Sequence, residues 1–219
     1  MSSAGGSSVG PDGPRRTRTQ RLEALSDGVF GFAITLLAVD LVVPVNRHSE
    51  RHLLNALGDQ WPGYLGYLVS FSTIGAVWLG HNAISDYLDH ADTTFLRLNL
   101  LLLLLVSFLP FPTRLLAEYI RSTGAERVSV TAYGLTLLVA AAVLSLVWRY
   151  ALHARLIRPD AKDEEITLLS QRLTPGLAAY VVLIVAGLFL PVLAVLGYGA
   201  IAVYLLLPIR IQRRRPKSE

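Results

Sequence analysis

The 219-residue chain contains no cysteine, a single methionine and few charged residues. The absence of cysteine excludes disulfide bonds and thiolate chemistry. Asp, Glu, Lys and Arg make up only 16% of the residues and 53% are hydrophobic, whereas a typical soluble domain is about 25% charged. This shortage of charge predicts a chain that lies mostly in a lipid bilayer.

Several uncharged runs approach the length of about 20 residues that a membrane-spanning helix needs. Residues 61–80 and 128–148 are two such runs, and 98–113 is a shorter one. The third run starts upstream at Asp92-Thr93-Thr94, where Asp92 or Thr93 is a candidate N-cap. Two prolines, Pro110 and Pro112, are expected to kink or end that helix.

The longest uncharged run, residues 173–209, has 37 residues and is long enough for two short spans. We place these spans at about 175–190 and 193–209, with Pro191, Gly197 and Gly199 as places to turn. Together with the apolar segment at residues 21–41, this gives six helices. The sequence therefore predicts an all-α integral membrane bundle of six transmembrane helices.

The basic residues predict the orientation, because cytoplasmic loops carry an excess of Lys and Arg. With a cytoplasmic N-terminus, fifteen of the 20 Lys and Arg residues fall on the inner side and five on the outer side. We expect both termini to be cytoplasmic. Residues 1–14 are predicted to be a disordered tail, 15–212 the six-helix transmembrane domain, and 213–219 a basic tail that anchors topology rather than binding nucleic acid.

The first apolar segment differs from the others because it has a carboxylate near each end. Only 12 uncharged residues separate Asp27 from Asp40. They cover about 18 Å, less than the roughly 30 Å of the hydrocarbon core. Carboxylates inside a membrane face the bundle interior or a water-filled cavity. Phe32, Leu36 and Val39 share one stripe of this helix, and such a stripe fits either packing in a bundle or lining a cavity.

The same segment resembles the opening of a known channel family. Arg21, Ser26-Asp27-Gly28-Val29-Phe30 and residues 33–37 are similar to the R-x-x-x-F-S-D opening of the endosomal/lysosomal potassium channels known as the transmembrane protein 175 family, in its bacterial form. Trp78 and His81 late in the second helix also fit, as do residues 98–100 and 107–113 of the third. The resemblance covers roughly residues 21–209.

The resemblance implies a homotetramer whose first helices line a central pore for potassium ions, with no cofactor. By position, Phe32, Leu36 and Val39 would form apolar constriction rings, and Thr35 a ring that contributes to selectivity. Arg21, Ser26, Asp27, Trp78, His81 and Asn99 would form a polar network that holds the pore helix. The expected activity is passive, potassium-preferring cation permeation, and the resemblance to the bacterial form of the family implies a bacterial inner membrane.

The chain departs from the family pattern at three positions of this helix. Leu25 stands where the family usually has phenylalanine, Phe32 where it has isoleucine, and Val39 where leucine is common. A shifted register would instead make Ile34 a constriction residue, although it lies about 200° from Phe32 around the helix. Asp40 would either pair with Arg47 or Arg51, or form a ring of carboxylates that concentrates cations at the outer mouth.

Three other patterns suggest different activities. A proton-coupled transporter would use Asp27 and His81. A metal-dependent membrane hydrolase would need a metal site within residues 81–92, where His81, Asp86, Asp89, His90 and Asp92 match no standard ligand spacing. The sequence VLGYG at residues 195–199 resembles a carbonyl selectivity filter, but a turn or a glycine packing contact explains it better. We predict no catalytic residues.

Overall fold

A computed structural model describes residues 13–41, 50–173 and 176–207. Within these ranges nine helices are seen: α1 (Gly13–Val39), α2 (Glu50–Asp59), α3 (Trp61–Tyr87), α4 (Thr93–Phe108), α5 (Pro110–Tyr119), α6 (Ala125–His153), α7 (Asp163–Leu173), α8 (Gly176–Gly187) and α9 (Pro191–Leu206). The only strand-like pairing in them is an isolated bridge between Leu88 and Ile157. The predicted all-α fold is confirmed.

Four helical stretches are long and apolar enough to cross a membrane: Gln20–Val39, Thr93–Tyr119, Ala125–His153 and Asp163–Gly187. The apolar helix α9 is shorter. The 27-residue α3 is about 40 Å long at 1.5 Å per residue, but it carries more polar side chains. The chain is therefore a multi-pass membrane protein.

The third predicted helix begins and breaks where its sequence indicated. The Asp92 carboxylate accepts a 2.7 Å hydrogen bond from the Phe95 amide and caps α4. The helix ends at Phe108, and Pro110 starts α5, since proline lacks the amide that would continue the hydrogen-bond ladder. Predictions of the N-cap and of the break are both confirmed.

The last two predicted helices correspond to α8 and α9, and Pro191 begins α9 as expected. Gly197 and Gly199, however, lie inside α9, so the prediction that they turn the chain was wrong. The alternative prediction, a glycine packing contact, is confirmed: a methyl group at Gly197 would meet Leu183, and one at Gly199 would meet Val69. The predicted basic tail at residues 213–219 lies outside the described residues, as does the predicted N-terminal tail apart from residues 13 and 14, which begin α1.

Two helices in charged segments were not predicted. In α2, the sequence ERHLLNALGD exposes Leu53, Leu54 and Leu57. In α7, three acidic residues (Asp163, Glu164 and Glu165) occupy the first turn, and Arg172 occupies the last. That arrangement suits the helix dipole, and it was the signal from which α7 could have been predicted.

Polar side chains join helices inside the bundle. Ser70 on α3 makes hydrogen bonds of 2.7 Å to Thr113 on α5 and 2.8 Å to Tyr133 on α6. Near the other end of α6, the Tyr150 hydroxyl donates a 2.5 Å hydrogen bond to the Asp92 carboxylate. Asp92 thus caps α4 and fixes its first turn against α6.

We predict that Asp92→Ala lowers the free energy of unfolding by at least about 1 kcal/mol, the usual contribution of an N-cap. Burial acts to raise the pKa of Asp92, but hydrogen bonds from Tyr150 and from the Phe95 and Thr94 amides hold that pKa below its ordinary value. The stabilisation is therefore complete at neutral pH and is lost as the pH falls through the lowered pKa. Thermal unfolding in detergent at pH 7 measures it. Asp89→Ala, an exposed carboxylate that pairs with its neighbour His90, is the control, and equal melting temperatures for the two variants would contradict the prediction.

Candidate functional site

Helix α1 buries one stripe of side chains against the rest of the bundle. Leu22, Ser26, Phe30, Ala33 and Leu37 are all at most 6% exposed. Their spacing of four, four, three and four residues keeps them on one face. This face contacts α3 and α4, so these two helices determine how α1 is rotated.

The opposite stripe of α1 is apolar but exposed. Leu25 is 50% exposed, Phe32 62% and Val39 72%. Gly28 and Thr35 lie on the same stripe and are also exposed, and the spacing of three, four, three and four residues is that of a helix that packs on other helices. Leu36, at the edge of the stripe, is half-buried.

The structure separates the two possible registers of this helix. Ile34 is half-buried and packs against the core, whereas Phe32 points away from it. The Thr35 hydroxyl donates a 2.8 Å hydrogen bond to the Phe32 carbonyl one turn earlier. Because its single proton is used within the helix, the exposed Thr35 oxygen can act towards a ligand only as an acceptor, which suits a cation.

A chain of buried polar side chains holds the inner face of α1. The Asn99 amide on α4 donates to the Ser26 hydroxyl at 3.1 Å, and its oxygen lies 2.7 Å from His81 Nε2 on α3. Ser26 in turn donates to the Leu22 carbonyl at 2.9 Å. The three side chains are at most 1% exposed. The two bonds of Asn99 join α4 to α1 and to α3, so these side chains fix the three helices together.

Asp27 lies beside these hydrogen-bonded side chains and has its own partner. Trp78 Nε1 donates a 2.8 Å hydrogen bond to the Asp27 carboxylate, and the two residues belong to α1 and α3. Arg21 is exposed, and within the described residues no hydrogen bond or ion pair joins it to the other five members of the predicted network. The structure therefore brings together Ser26, Asp27, Trp78, His81 and Asn99, but not Arg21.

The membrane-length part of α1 shows why Asp27 needs a partner. Gln20–Val39 has 20 residues, which cover about 30 Å and place Asp27 about 10 Å inside that span. Asp40 follows directly after it. A carboxylate at the depth of Asp27 is stable only when hydrogen-bonded or hydrated.

Asp40 faces a different arginine from those proposed. Its carboxylate lies 4.0 Å from Arg114 on α5, and the arginine side chain is 71% exposed. Arg47 lies outside the described residues, and the side chain of Arg51 is not described either. Arg114 could have been considered as a partner of Asp40, because it is one of the five basic residues predicted to lie on the outer side. At this distance and exposure the pair contributes little to stability, so it leaves room for a second role of Asp40 at the C-terminal end of α1.

The other sequence patterns do not form sites in the described residues. VLGYG is helical within α9, so its carbonyls accept helix hydrogen bonds and do not line a pore. His81 bonds to Asn99, Asp92 caps α4, and Asp89 pairs with His90. No group of three His, Asp or Glu residues in this part of the chain is placed to hold a metal ion.

Sequence reasoning missed Leu25 and Gly28 as members of the exposed stripe. The heptad-like spacing of Leu25, Gly28, Phe32, Thr35 and Val39 was the signal that could have found them. A shallow groove continues from this stripe onto α4, where Leu100, Leu103, Leu104 and Ser107 form its other wall. The unpartnered apolar surface of the chain thus extends across both helices.

We predict that Asn99→Ala lowers the free energy of unfolding by about 2–4 kcal/mol, because it leaves His81 Nε2 without its buried partner and removes the bond that joins Ser26 to α4. Thermal unfolding of purified protein measures the change. Ser107→Ala, on the same helix, is the control because its hydroxyl bonds only to the Leu104 carbonyl one turn away. A loss for Asn99→Ala no larger than that for Ser107→Ala would show that the buried chain does not hold α1.

Comparison with known proteins identifies the family. The model of the family described as endosomal/lysosomal potassium channel TMEM175 matches residues 21–110. A potassium channel of Chamaesiphon minutus is 39% identical over 170 residues, which cover 76% of this chain and 83% of that protein. The endosomal/lysosomal proton channel TMEM175 of Gallus gallus is 35% identical over 114 residues, 49% of this chain and 23% of that much longer protein.

A solved structure is also similar. The crystal structure of a lysosomal potassium-selective channel TMEM175 homolog from Chamaesiphon minutus superimposes with a TM-score of 0.77 at 35% sequence identity. The match covers 86% of this chain and 96% of the crystallised one. The helical order, the polar chain on the inner face of α1 and these matches agree, and the chain belongs to the TMEM175 family.

Proposed function

We propose that the protein is a potassium-preferring cation channel that conducts passively through a central pore between four copies of α1. The observation that carries this proposal is the exposed stripe of α1, which combines apolar side chains with one threonine and lies opposite the buried polar chain. The Chamaesiphon minutus relative, which is named a potassium channel, supports it. The permeant potassium ion is the ligand, and no cofactor is proposed.

Four-fold assembly would turn each residue of the stripe into a ring. Rings of Phe32, Leu36 and Val39 would narrow the pore with apolar side chains, and such constrictions can gate by excluding water. Phe32 is the bulkiest of the three. Rotation of its ring about χ2 would change the width of the opening, so we propose Phe32 as the main constriction.

Thr35 would lie between the Phe32 and Val39 rings. Four acceptor oxygens at this level would replace part of the hydration shell of a cation in an otherwise apolar passage. Since the Thr35 proton is committed to the Phe32 carbonyl, the ring would present no donor towards the axis and would disfavour anions.

The remaining parts have supporting roles in this proposal. The rotation of α1 would be set by five polar side chains: Ser26, Asp27, Trp78, His81 and Asn99. Arg21 would face the inner entrance of the pore. Six crossings, formed by α1, α3, α4–α5, α6, α7–α8 and α9, would leave both termini in the cytoplasm of a bacterial inner membrane. The groove between α1 and α4 would receive the neighbouring subunit, which gives the homotetramer a continuous apolar interface.

Proton conduction is the second candidate because the Gallus gallus relative is named a proton channel. A proton pathway of this chain would use Asp27 and His81, as would a proton-coupled transporter. In the structure, Asp27 bonds to Trp78 and His81 to Asn99, so both groups are engaged between helices and away from the exposed stripe. A metal-dependent hydrolase has no comparable support.

We predict that liposomes containing the protein release potassium down its gradient, and that Phe32→Ala increases this flux by relieving the constriction. Thr35→Ala should lower the ratio of potassium to sodium flux. Potassium-selective electrodes and sodium replacement measure the two effects, and a pH-sensitive dye in the same vesicles detects proton flux.

The matched control is Phe189→Ala, because Phe189 is 75% exposed but lies in the link between α8 and α9. It should leave the flux unchanged. An absence of potassium flux at every gradient and voltage would contradict the channel proposal. Saturable flux that follows the proton gradient would favour the transporter.

We also predict that Asp40→Asn lowers conductance at low ionic strength and has little effect at high ionic strength, because salt screens the attraction of cations to exposed charges. Arg114→Gln removes the partner of Asp40 and should raise low-salt conductance. Single-channel recording at two salt concentrations measures both. An unchanged low-salt conductance in Asp40→Asn would mean that Asp40 only terminates α1.

A further inference from the structure

A cavity of about 230 Å³ lies on the far side of α3 from the polar chain. Its walls come from α3, α6, α7 and the ends of α8 and α9, and they include Ala76, Gly80, Ala141, Leu144 and Leu173. Gly80 allows α3 to lie close to α6 at this wall, because a methyl group there would be 3.0 Å from Leu144. Two further wall residues, Leu79 and Leu207, are 41% and 57% exposed, so the cavity opens on the outer surface of the bundle.

The wall is mainly aliphatic and offers water few partners. The Thr73 hydroxyl, one of the few polar groups in it, donates to the Val69 carbonyl within α3 at 2.8 Å. Apolar cavities of this size stay dry and take up apolar ligands. The interior of the cavity therefore suits a hydrocarbon chain.

One cationic side chain lies at the cavity. Arg172, in the last turn of α7, lines it and donates to the carbonyls of Leu205 and Leu207 at the end of α9. These bonds all use Nη2, and within the described residues no hydrogen bond is made by Nε or Nη1. A guanidinium has five donors, and its fork geometry matches the oxygens of a phosphate.

The level of the cavity in the membrane follows from α3. Leu79 and Gly80 line it, and their neighbours Trp78 and His81 contact the first half of α1 through Asp27 and Asn99. The cavity therefore lies in the half of the bundle that holds the N-terminal end of α1. With the orientation proposed above, this half is the inner leaflet.

We propose that this cavity binds one acyl chain of an anionic phospholipid, with the phosphate of its headgroup on Arg172. An aliphatic cavity that opens towards lipid, with a guanidinium at its polar end, is complementary to a hydrocarbon chain attached to a negatively charged headgroup. The site is separate from the exposed stripe of α1. Its occupancy is measured independently of ion flux.

The test is photolabelling of the full chain in bilayers with phosphatidylglycerol that carries a diazirine near the end of one acyl chain. Adducts are mapped by mass spectrometry of peptides. We expect adducts within residues 76–83 and 137–144, competition by unlabelled phosphatidylglycerol, and several-fold weaker labelling by the phosphatidylcholine analogue. Ala141→Phe should abolish this labelling by filling the cavity, and Arg172→Gln should reduce it.

Two variants serve as controls. Arg149→Gln removes an exposed arginine near the C-terminal end of α6. Val182→Phe enlarges a side chain on α8 that is 66% exposed. Both should label as the wild type does. Arg172→Gln also removes bonds to the end of α9 and could fail to fold for that reason. In that case Ala141→Phe alone decides the test. Unlabelled cavity peptides, labelling that persists in Ala141→Phe, or equal labelling by phosphatidylcholine would each overturn the proposal.

Discussion

The hydrogen-bonded chain from Ser26 through Asn99 to His81 is the constraint on which the rest of the arrangement depends. Its members come from α1, α4 and α3, and burial makes each broken link costly because no water can replace it. A helix turns about 100° per residue, so fixing Ser26 on the inside also fixes which residues lie outside. The exposed position of Phe32, Thr35 and Val39 thus follows from a contact on the opposite face.

The exposed stripe of α1 has no packing partner within the described part of a single subunit. Apolar side chains from α1, together with the groove shared with α4, form a continuous exposed surface. In the proposed tetramer, a copy of the same chain would supply a complementary surface under rotational symmetry. On the far side of α3, the bundle keeps an aliphatic cavity next to Arg172. Helix α3 therefore separates the proposed pore side of the subunit from its proposed lipid site.

Features set by local chemistry could be predicted from the sequence. The N-cap at Asp92, the break at Pro110 and the unusual carboxylates of the first helix all depend on neighbouring residues. Partners that depend on tertiary packing could not be derived in this way. Gly197 and Gly199 pack between helices, although glycine is equally typical of turns, and Asp40 faces Arg114 from a distant helix. The resemblance suggested Trp78, His81 and Asn99 as partners, but only the structure supplied the order of their bonds and left Arg21 apart.

The absence of cysteine makes the central claim, that the exposed stripe of α1 faces the pore, directly measurable. Single cysteines at Val39 and Leu37 would probe opposite faces of the same turn, since Val39 is 72% exposed and Leu37 is 2% exposed. Potassium flux is then recorded before and after a membrane-impermeant, positively charged thiol reagent. If the stripe lines the pore, the reagent blocks flux through Val39→Cys and leaves Leu37→Cys unchanged. Block of Leu37→Cys, with no effect on Val39→Cys, would contradict it.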